Sequence, residues 1–187
     1  MNALHNWLCQ SSFWRIGLQQ RILPWALSGV DLGSAVLEVG PGYGMATDVL
    51  RQTSPRVTTV EIDRRLAALL ASRLSATNVN VIQGDGTALP FPDEVFSGAV
   101  CFTMLHHVPS AALQDRLLAE VRRVLRPGGV FAGTDSLWSR GMQWIHYRDT
   151  LVAIDPGTFP SRLEQAGFTA VDIQQHGQVF RFRAHRQ

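Results

Sequence analysis

The sequence predicts an α/β protein: a doubly wound, mostly parallel sheet with helices on both faces. Three observations predict it. From residue 35 onward, short β-rich runs alternate with longer helical patterns. A glycine-rich turn, "GPGYG", follows the first of those runs. The chain closes on two β-rich runs joined by "HG", a link too short for a parallel crossover.

Each element has its own signal. Residues 4 to 27 carry apolar side chains at helical spacing (Leu4, Trp7, Leu8, then Phe13, Trp14, Ile16, Leu18, Ile22 and Leu23), and Pro24 is expected to break or end that helix. "AVLEVG" reads as the first strand and "MATDVLRQT" as a helix. "VTTVEI" and "RRLAALLASRL" form the next strand and helix. "VNVIQG" and "SGAVCF" are two further strands. "AALQDRLLAEVRRVL" is amphipathic, with Leu113, Leu117, Leu118, Val121, Val124 and Leu125 on one side. "RPGG" should stop it and turn the chain before "VFAGTDS", the fifth strand. "TFPSRLEQAG" is a helix closed by Gly167. "FTAVDIQQ" and "QVFRFRAH" make a C-terminal hairpin, so the last strand runs antiparallel to about five parallel ones.

Composition narrows the function. The 187 residues suffice for one domain with a proper core. The net charge of +2 provides no dense basic stripe, so a nucleic-acid partner is not expected. All 17 basic residues are arginines, which excludes Schiff-base chemistry and lysine general bases. Cys9 and Cys101 form no zinc-ligand spacing, so no metal is expected, and they read as thiols of a reducing compartment. No run reaches the ~18–20 apolar residues of a membrane span. No signal peptide is apparent, so a cytoplasmic protein without stable membrane insertion is expected.

The glycine turn sits where doubly wound sheets bind ligands, at the carboxyl end of a strand. Gly40 and Gly42 permit a tight turn and close backbone approach. Met45 stands where a dinucleotide fingerprint has its third glycine. Carboxylates cluster instead. Glu38 lies within the first strand, where a buried charge is costly unless paired. Glu61 ends the second strand, about 20 residues on, where a carboxylate accepts from a ribose diol. Asp85 follows the third, able to accept from an exocyclic amino group. Such an acidic surround suits an α-ammonium and a sulfonium better than a pyrophosphate.

These pieces, "VLEVGPGYG", "VTTVEID", "GDGTALPFPDEVFSGAV", "MLHHV" and "EVRRVLRPGGVF", cover residues 35 to 135. Together they resemble class I S-adenosylmethionine-dependent methyltransferases, in particular the small-molecule, ubiquinone/menaquinone-biosynthesis type. The resemblance implies a Rossmann-like sheet of seven strands, the last antiparallel. It implies S-adenosyl-L-methionine as cofactor. Gly40, Pro41 and Gly42 would wrap its methionine portion, and Glu38 would hold the ammonium through the loop or a water. Glu61 would take the ribose hydroxyls, with Ile62 packing on the adenine. Asp85, flanked by Gly84 and Gly86, would meet the adenine amino group. Phe102 and Thr103 would sit beside the reactive methyl, and Tyr43 either near the sulfonium or against the loop or solvent.

The implied reaction is an in-line displacement onto a small-molecule acceptor, apolar or aromatic. His106 and His107 are the candidate bases, ahead of His146 and Tyr147. The Asn/Asp-Pro-Pro-aromatic motif of base N-methyltransferases is absent: "CFTMLHH" stands in its place after the fourth strand. One class I domain over 1–187 is expected: a helical cap (1–30), a cofactor core (35–135), a substrate-covering segment (136–157) and the closing helix and hairpin (158–187). Trp7, Phe13, Trp14, Trp138, Met142, Trp144 and Tyr147 either line the acceptor pocket, lie against membrane lipid or close the core. The chain is short for the family, leaving the pocket open or completed by a second copy in a homodimer. Two other readings stay open: an S-adenosylmethionine-binding regulatory or partner protein without turnover, and a nicotinamide oxidoreductase.

Overall fold

The computed structural model describes Asn2, Trp7 and residues 11–187. Leu4, Leu8 and Cys9 lie outside the described residues, as does the side chain of Phe13. Helix α1 (Ser12–Gly17) runs through a π-helical turn (Leu18–Ile22) into α2 (Leu23–Ala26). Pro24 does not end the helix as expected. It sits just after a π-helical turn, whose shifted hydrogen-bond register accommodates a residue with no N–H to donate. The widened π turn ahead of it closes through the Leu23 N–H bond to the Leu18 carbonyl.

Then the alternation begins: β1 (Ala35–Val39), α3 (Thr47–Thr53), β2 (Arg56–Glu61), α4 (Arg64–Leu74), β3 (Val79–Gln83) and β4 (Phe96–Phe102). A 3₁₀ turn (Leu105–His107) leads to α5 (Ala111–Val124), β5 (Leu125–Ser136), α6 (Arg140–Ile145), α7 (Phe159–Gln165), β6 (Phe168–His176) and β7 (Val179–Arg186). Helix starts are set by side-chain caps. Asp63 accepts from the Arg65 and Leu66 amides at α4, and Ser110 from the Leu113 amide at α5.

The seven strands form one sheet in the order β3-β2-β1-β4-β5-β7-β6. β1 pairs in parallel with β2 and β4, and β4 with β5. β7 is antiparallel to both β5 and β6. The expected fold is therefore observed, with one local correction. "RPGG" does not separate α5 from β5. Leu125 already pairs with Phe96 and Val130 with Gly98, so Arg126–Gly129 loop out within the strand.

Side-chain alternation divides the core between two faces. Leu37, Val39, Ala99, Cys101 and Phe131 pack on one side with Leu117, Leu118 and Val121 of α5. Val36, Val57, Val100, Phe102 and Val130 pack on the other with Leu18, Leu23 and Leu50. Burial, and then the Asp135 charge, pushes the Cys101 thiol well up, so it stays protonated within this core. Among the described residues no helix is long and apolar enough to cross a membrane.

Candidate active site

Because β1, β4 and β5 are parallel neighbours, their carboxyl ends open onto one common rim. A cleft of about 850 Å³ lies there. Its floor is the glycine turn, Gly40, Pro41, Gly42 and Tyr43, together with Glu38, Glu61 and Ile62. Phe102 and Thr103 line its middle. His106, His107, Met142, Ile145 and His146 line the far end, and Trp14 and Leu18 come in from the N-terminal helices.

The turn is held from behind. Gly44 has φ +77°, and a Cβ there would come within 2.5 Å of Leu70 Cδ2 on α4. Only glycine lets that helix approach so closely. From the same helix, Arg73 donates to both carboxylate oxygens of Asp48 at 2.8 Å. It also donates to the Tyr43 and Gly44 carbonyls at 3.2 and 3.3 Å. Gly42 is different: φ is +55° and nothing lies within 4 Å of a hypothetical Cβ. The backbone is bare toward the cleft at that point.

Glu61 is 5% exposed and fixed at both oxygens. Oε2 accepts from the Gly42 amide and Oε1 from the Asp63 amide, each at 2.9 Å. A carboxylate has about four acceptor sites, so two remain for a diol. Glu38 is buried at 2% exposure beside the start of α3, where the Thr47 hydroxyl donates to Oε2 at 2.6 Å. Burial pushes the Glu38 carboxyl up to about 7. The Thr47 hydrogen bond pulls against this, and the charges of Asp48 and Glu61 add to it.

This arrangement fits S-adenosylmethionine and not a dinucleotide. A dinucleotide fold offers a free helix N-terminus and turn amides to a pyrophosphate. Here the Gly42 amide is given to Glu61, and Glu38 lies against the first residue of α3. Four carboxylates line the cleft (Glu38, Glu61, Asp63, Asp149) against one arginine, Arg65. That field favours a cationic ligand.

The histidine wall is built on Asp135, near the end of β5 and 0% exposed. Its Oδ1 lies 2.5 Å from His106 Nδ1, and its Oδ2 accepts from the His106 amide at 3.1 Å. A carboxylate accepts only, so Nδ1 carries the proton and Nε2 the lone pair. His146 Nδ1 lies 2.8 Å from the Met142 carbonyl, which fixes the same tautomer. Burial pushes the His146 imidazole below its usual range, against that hydrogen bond. The three rings pack together, with centroids 4.2 Å (106–107), 5.0 Å (106–146) and 5.1 Å (107–146) apart. Gln114, buried on α5, braces the 3₁₀ turn by donating to the Leu105 and Val152 carbonyls at 3.0 and 2.8 Å.

The cleft thus gathers Glu38, Gly40, Pro41, Gly42, Tyr43, Glu61, Ile62, Phe102, Thr103, His106 and His107. Gly84, Asp85 and Gly86 are not among its lining. Asp85 is exposed, and its Oδ1 accepts from the Thr87 amide and hydroxyl at 2.8 and 2.9 Å. Residues 136–157 divide: Met142 lines the cleft, while Trp138, Trp144 and Tyr147 are 58, 70 and 71% exposed and close no core. Asp135, Arg73 and Gln114 had no signal in the sequence, since their partners lie 9 to 38 positions away.

Residues 37–133, just over half of the chain, match the methyltransferase domain family. An uncharacterized methyltransferase of Synechocystis is 31% identical over 171 residues, 83% of this chain and 77% of that protein. A probable ribosomal RNA small subunit methyltransferase A of Pyrococcus abyssi is 43% identical over 63 residues, 34% of this chain. The match spans only 23% of that relative's length. The crystal structure of a SAM-dependent methyltransferase from Aquifex aeolicus superposes with a TM-score of 0.72 at 20% identity. That likeness covers 90% of this chain and 92% of the other, and it shows a common fold. The family match and the Synechocystis relative together make the conclusion plain: the chain belongs to the methyltransferase domain family.

Proposed function

We propose that the chain transfers a methyl group from S-adenosyl-L-methionine to a small-molecule acceptor with an apolar or aromatic body. The observation that carries this reading is that one cleft is lined by the glycine turn with Glu38 and Glu61 and also by the three imidazoles. When bound, the cofactor supplies an electrophilic methyl group whose C–S electron pair leaves with sulfur. Gly40, Pro41 and Gly42 hold its methionine portion, with Glu38 toward the ammonium. Glu61 takes the ribose hydroxyls on its two remaining acceptor sites, and Ile62 packs on the adenine. Asp85, with Gly84 and Gly86 beside it, is assigned to the adenine amino group. It lies on the loop that the Gly84 amide ties to the Glu61 carbonyl at 3.0 Å. Phe102, Thr103 and Tyr43, which line the same cleft, would stand on the side of the transferable methyl.

At the other end, His106 Nε2 takes the proton of the acceptor's O–H, N–H or S–H as the new bond to carbon forms. Asp135 holds the ring in the tautomer that makes this possible and stabilises the imidazolium until the proton passes to solvent. His107 lines the same wall. Orientation in such a site removes on the order of 7–11 kcal/mol of barrier. Leu18, Leu137, Met142 and Ile145 give the acceptor an apolar seat, which favours a quinol or related phenol of the ubiquinone/menaquinone type. Residues 136–157 act as the substrate cover and residues 1–30 as a helical cap.

The test is incubation with methyl-labelled cofactor and a panel of quinols, phenols, thiols, amines and ribosomal RNA. Label should enter a quinol or phenol. Labelling of RNA alone would overturn the small-molecule reading. Cofactor binding with no transfer to any of them would favour a regulatory protein.

A further inference from the structure

The histidine cluster has a property that base catalysis does not require. One ring nitrogen from each of His106, His107 and His146 lies within 4.8 Å of the other two. Ring packing alone explains why the imidazoles touch, but not why their nitrogens converge. His106 and His146 each point an Nδ1–H outward, to the Asp135 carboxylate and the Met142 carbonyl. Both tautomers therefore leave the lone pair on Nε2.

From this arrangement we propose that His106, His107 and His146 form a binding site for one divalent transition-metal cation, facing the acceptor end of the cleft. Three imidazoles and no carboxylate among the ligands select zinc, cobalt or nickel over magnesium or calcium. Zinc–imidazole bonds of ~2.0–2.1 Å in a tetrahedron place the nitrogens about 3.3 Å apart. The nitrogens lie within 4.8 Å of one another, so side-chain rotation has to draw them together on binding. Outer partners of the required kind are already in place: a carboxylate on one ligand and a backbone carbonyl on another. Three protein ligands leave a fourth position open, as in catalytic rather than structural zinc sites.

The site joins two separate parts of the chain. His106 and His107 lie on the turn after β4, while His146 caps the C-terminal end of α6 in the covering segment. A bound cation therefore pins that segment to the sheet. It also takes up the His106 lone pair, so in the metal-loaded protein His106 is a ligand, and only the metal-free protein uses it as the base. Resting on the methyl-transfer reading, the acceptor's O–H or S–H then coordinates at the fourth position and loses its proton to solvent, its pKa lowered by the metal.

The test uses the full-length, tag-free chain stripped with a chelator. Zinc is titrated by calorimetry and cobalt by visible absorption, in wild type and in His107→Ala, His146→Ala, Asp135→Asn and His185→Ala. The wild type should bind one equivalent of zinc, and cobalt should show the intense visible bands of four-coordination. His107→Ala and His146→Ala should weaken zinc at least 100-fold, and Asp135→Asn about 10–100-fold. His185→Ala, at an exposed position on β7, should bind as wild type does. Circular dichroism checks each fold, and should His146→Ala not fold, His107→Ala decides. No saturable zinc binding by wild type, or equal affinity in His107→Ala, overturns the site. S-adenosylhomocysteine is titrated into the same samples. Its binding without zinc binding sinks only the metal, and zinc binding without it sinks only the cofactor assignment.

Discussion

Replacing Glu38 by glutamine tests the electrostatics at the root of the site. The buried carboxyl has its pKa raised from 4.5 to about 7, chiefly by loss of hydration. At about 1.4 kcal/mol per pKa unit, that difference corresponds to about 3 kcal/mol. The sign follows from proton linkage. Between pH 4.5 and 7 the folded chain holds a proton on Glu38 that the unfolded chain has released, so stability falls as pH rises through this window and levels off above it. Glutamine removes the term while keeping an oxygen that can accept from Thr47. Its buried NH₂ adds a penalty of about 1–3 kcal/mol, but one that does not vary with pH. The assay is denaturant unfolding of both chains from pH 4.5 to 8.5. The stability difference, variant minus wild type, should rise by about 3 kcal/mol across the window and stay constant above it. A cationic ammonium beside Glu38 favours the ionised form, so wild-type affinity for S-adenosylhomocysteine should strengthen with pH up to about 7 and then flatten. The variant should bind more weakly without that rise. Parallel stability curves for the two proteins would refute the reasoning.

Three further outcomes follow from the geometry. Gly42→Ala has room for its methyl and suffers only the left-handed backbone, about 1–2 kcal/mol. It should nevertheless weaken S-adenosylhomocysteine tenfold or more by calorimetry, because the methyl projects into open space at the turn. Arg73→Ala removes a half-exposed clamp, so stability should change by less than about 1 kcal/mol. Cofactor affinity should still fall severalfold as the Tyr43 and Gly44 carbonyls lose their donor. Asp135→Asn should lower single-turnover methyl transfer about 10²–10⁴-fold. S-adenosylhomocysteine binding should stay within about twofold of wild type, measured where melting shows the variant folded.

The strands and most helices were legible because each carries its own period. The runs "VLEV", "VTTV" and "GAVC" bury both faces, and α5 repeats its apolar side every turn. Glu38 stood out because a carboxylate inside an apolar strand is costly unless paired, and Glu61 only in combination, as the end of the next strand about 20 residues on. The Asp135–His106 pair was not legible, although "HH" stood out. The two residues meet only because β4 and β5 are neighbours with Phe102 opposite Thr134, and one sequence does not state strand order. Arg73 was hidden for a similar reason: an arginine near a helix end reads as solvated surface. The continuation of β5 through "RPGG" was missed because local turn chemistry suggested a stop, while pairing of Leu125 with Phe96 carried the strand on. Apolar content misled at Trp138, Trp144 and Tyr147, which stand exposed on the covering segment.

The most direct measurement is a calorimetric titration of the purified chain with S-adenosylmethionine, S-adenosylhomocysteine and NADH. A site whose turn amide is already given to Glu61, and whose wall is carboxylate-rich, should bind both adenosyl ligands at one per chain and ignore the dinucleotide. Heat with NADH, and none with either adenosyl ligand, would contradict it.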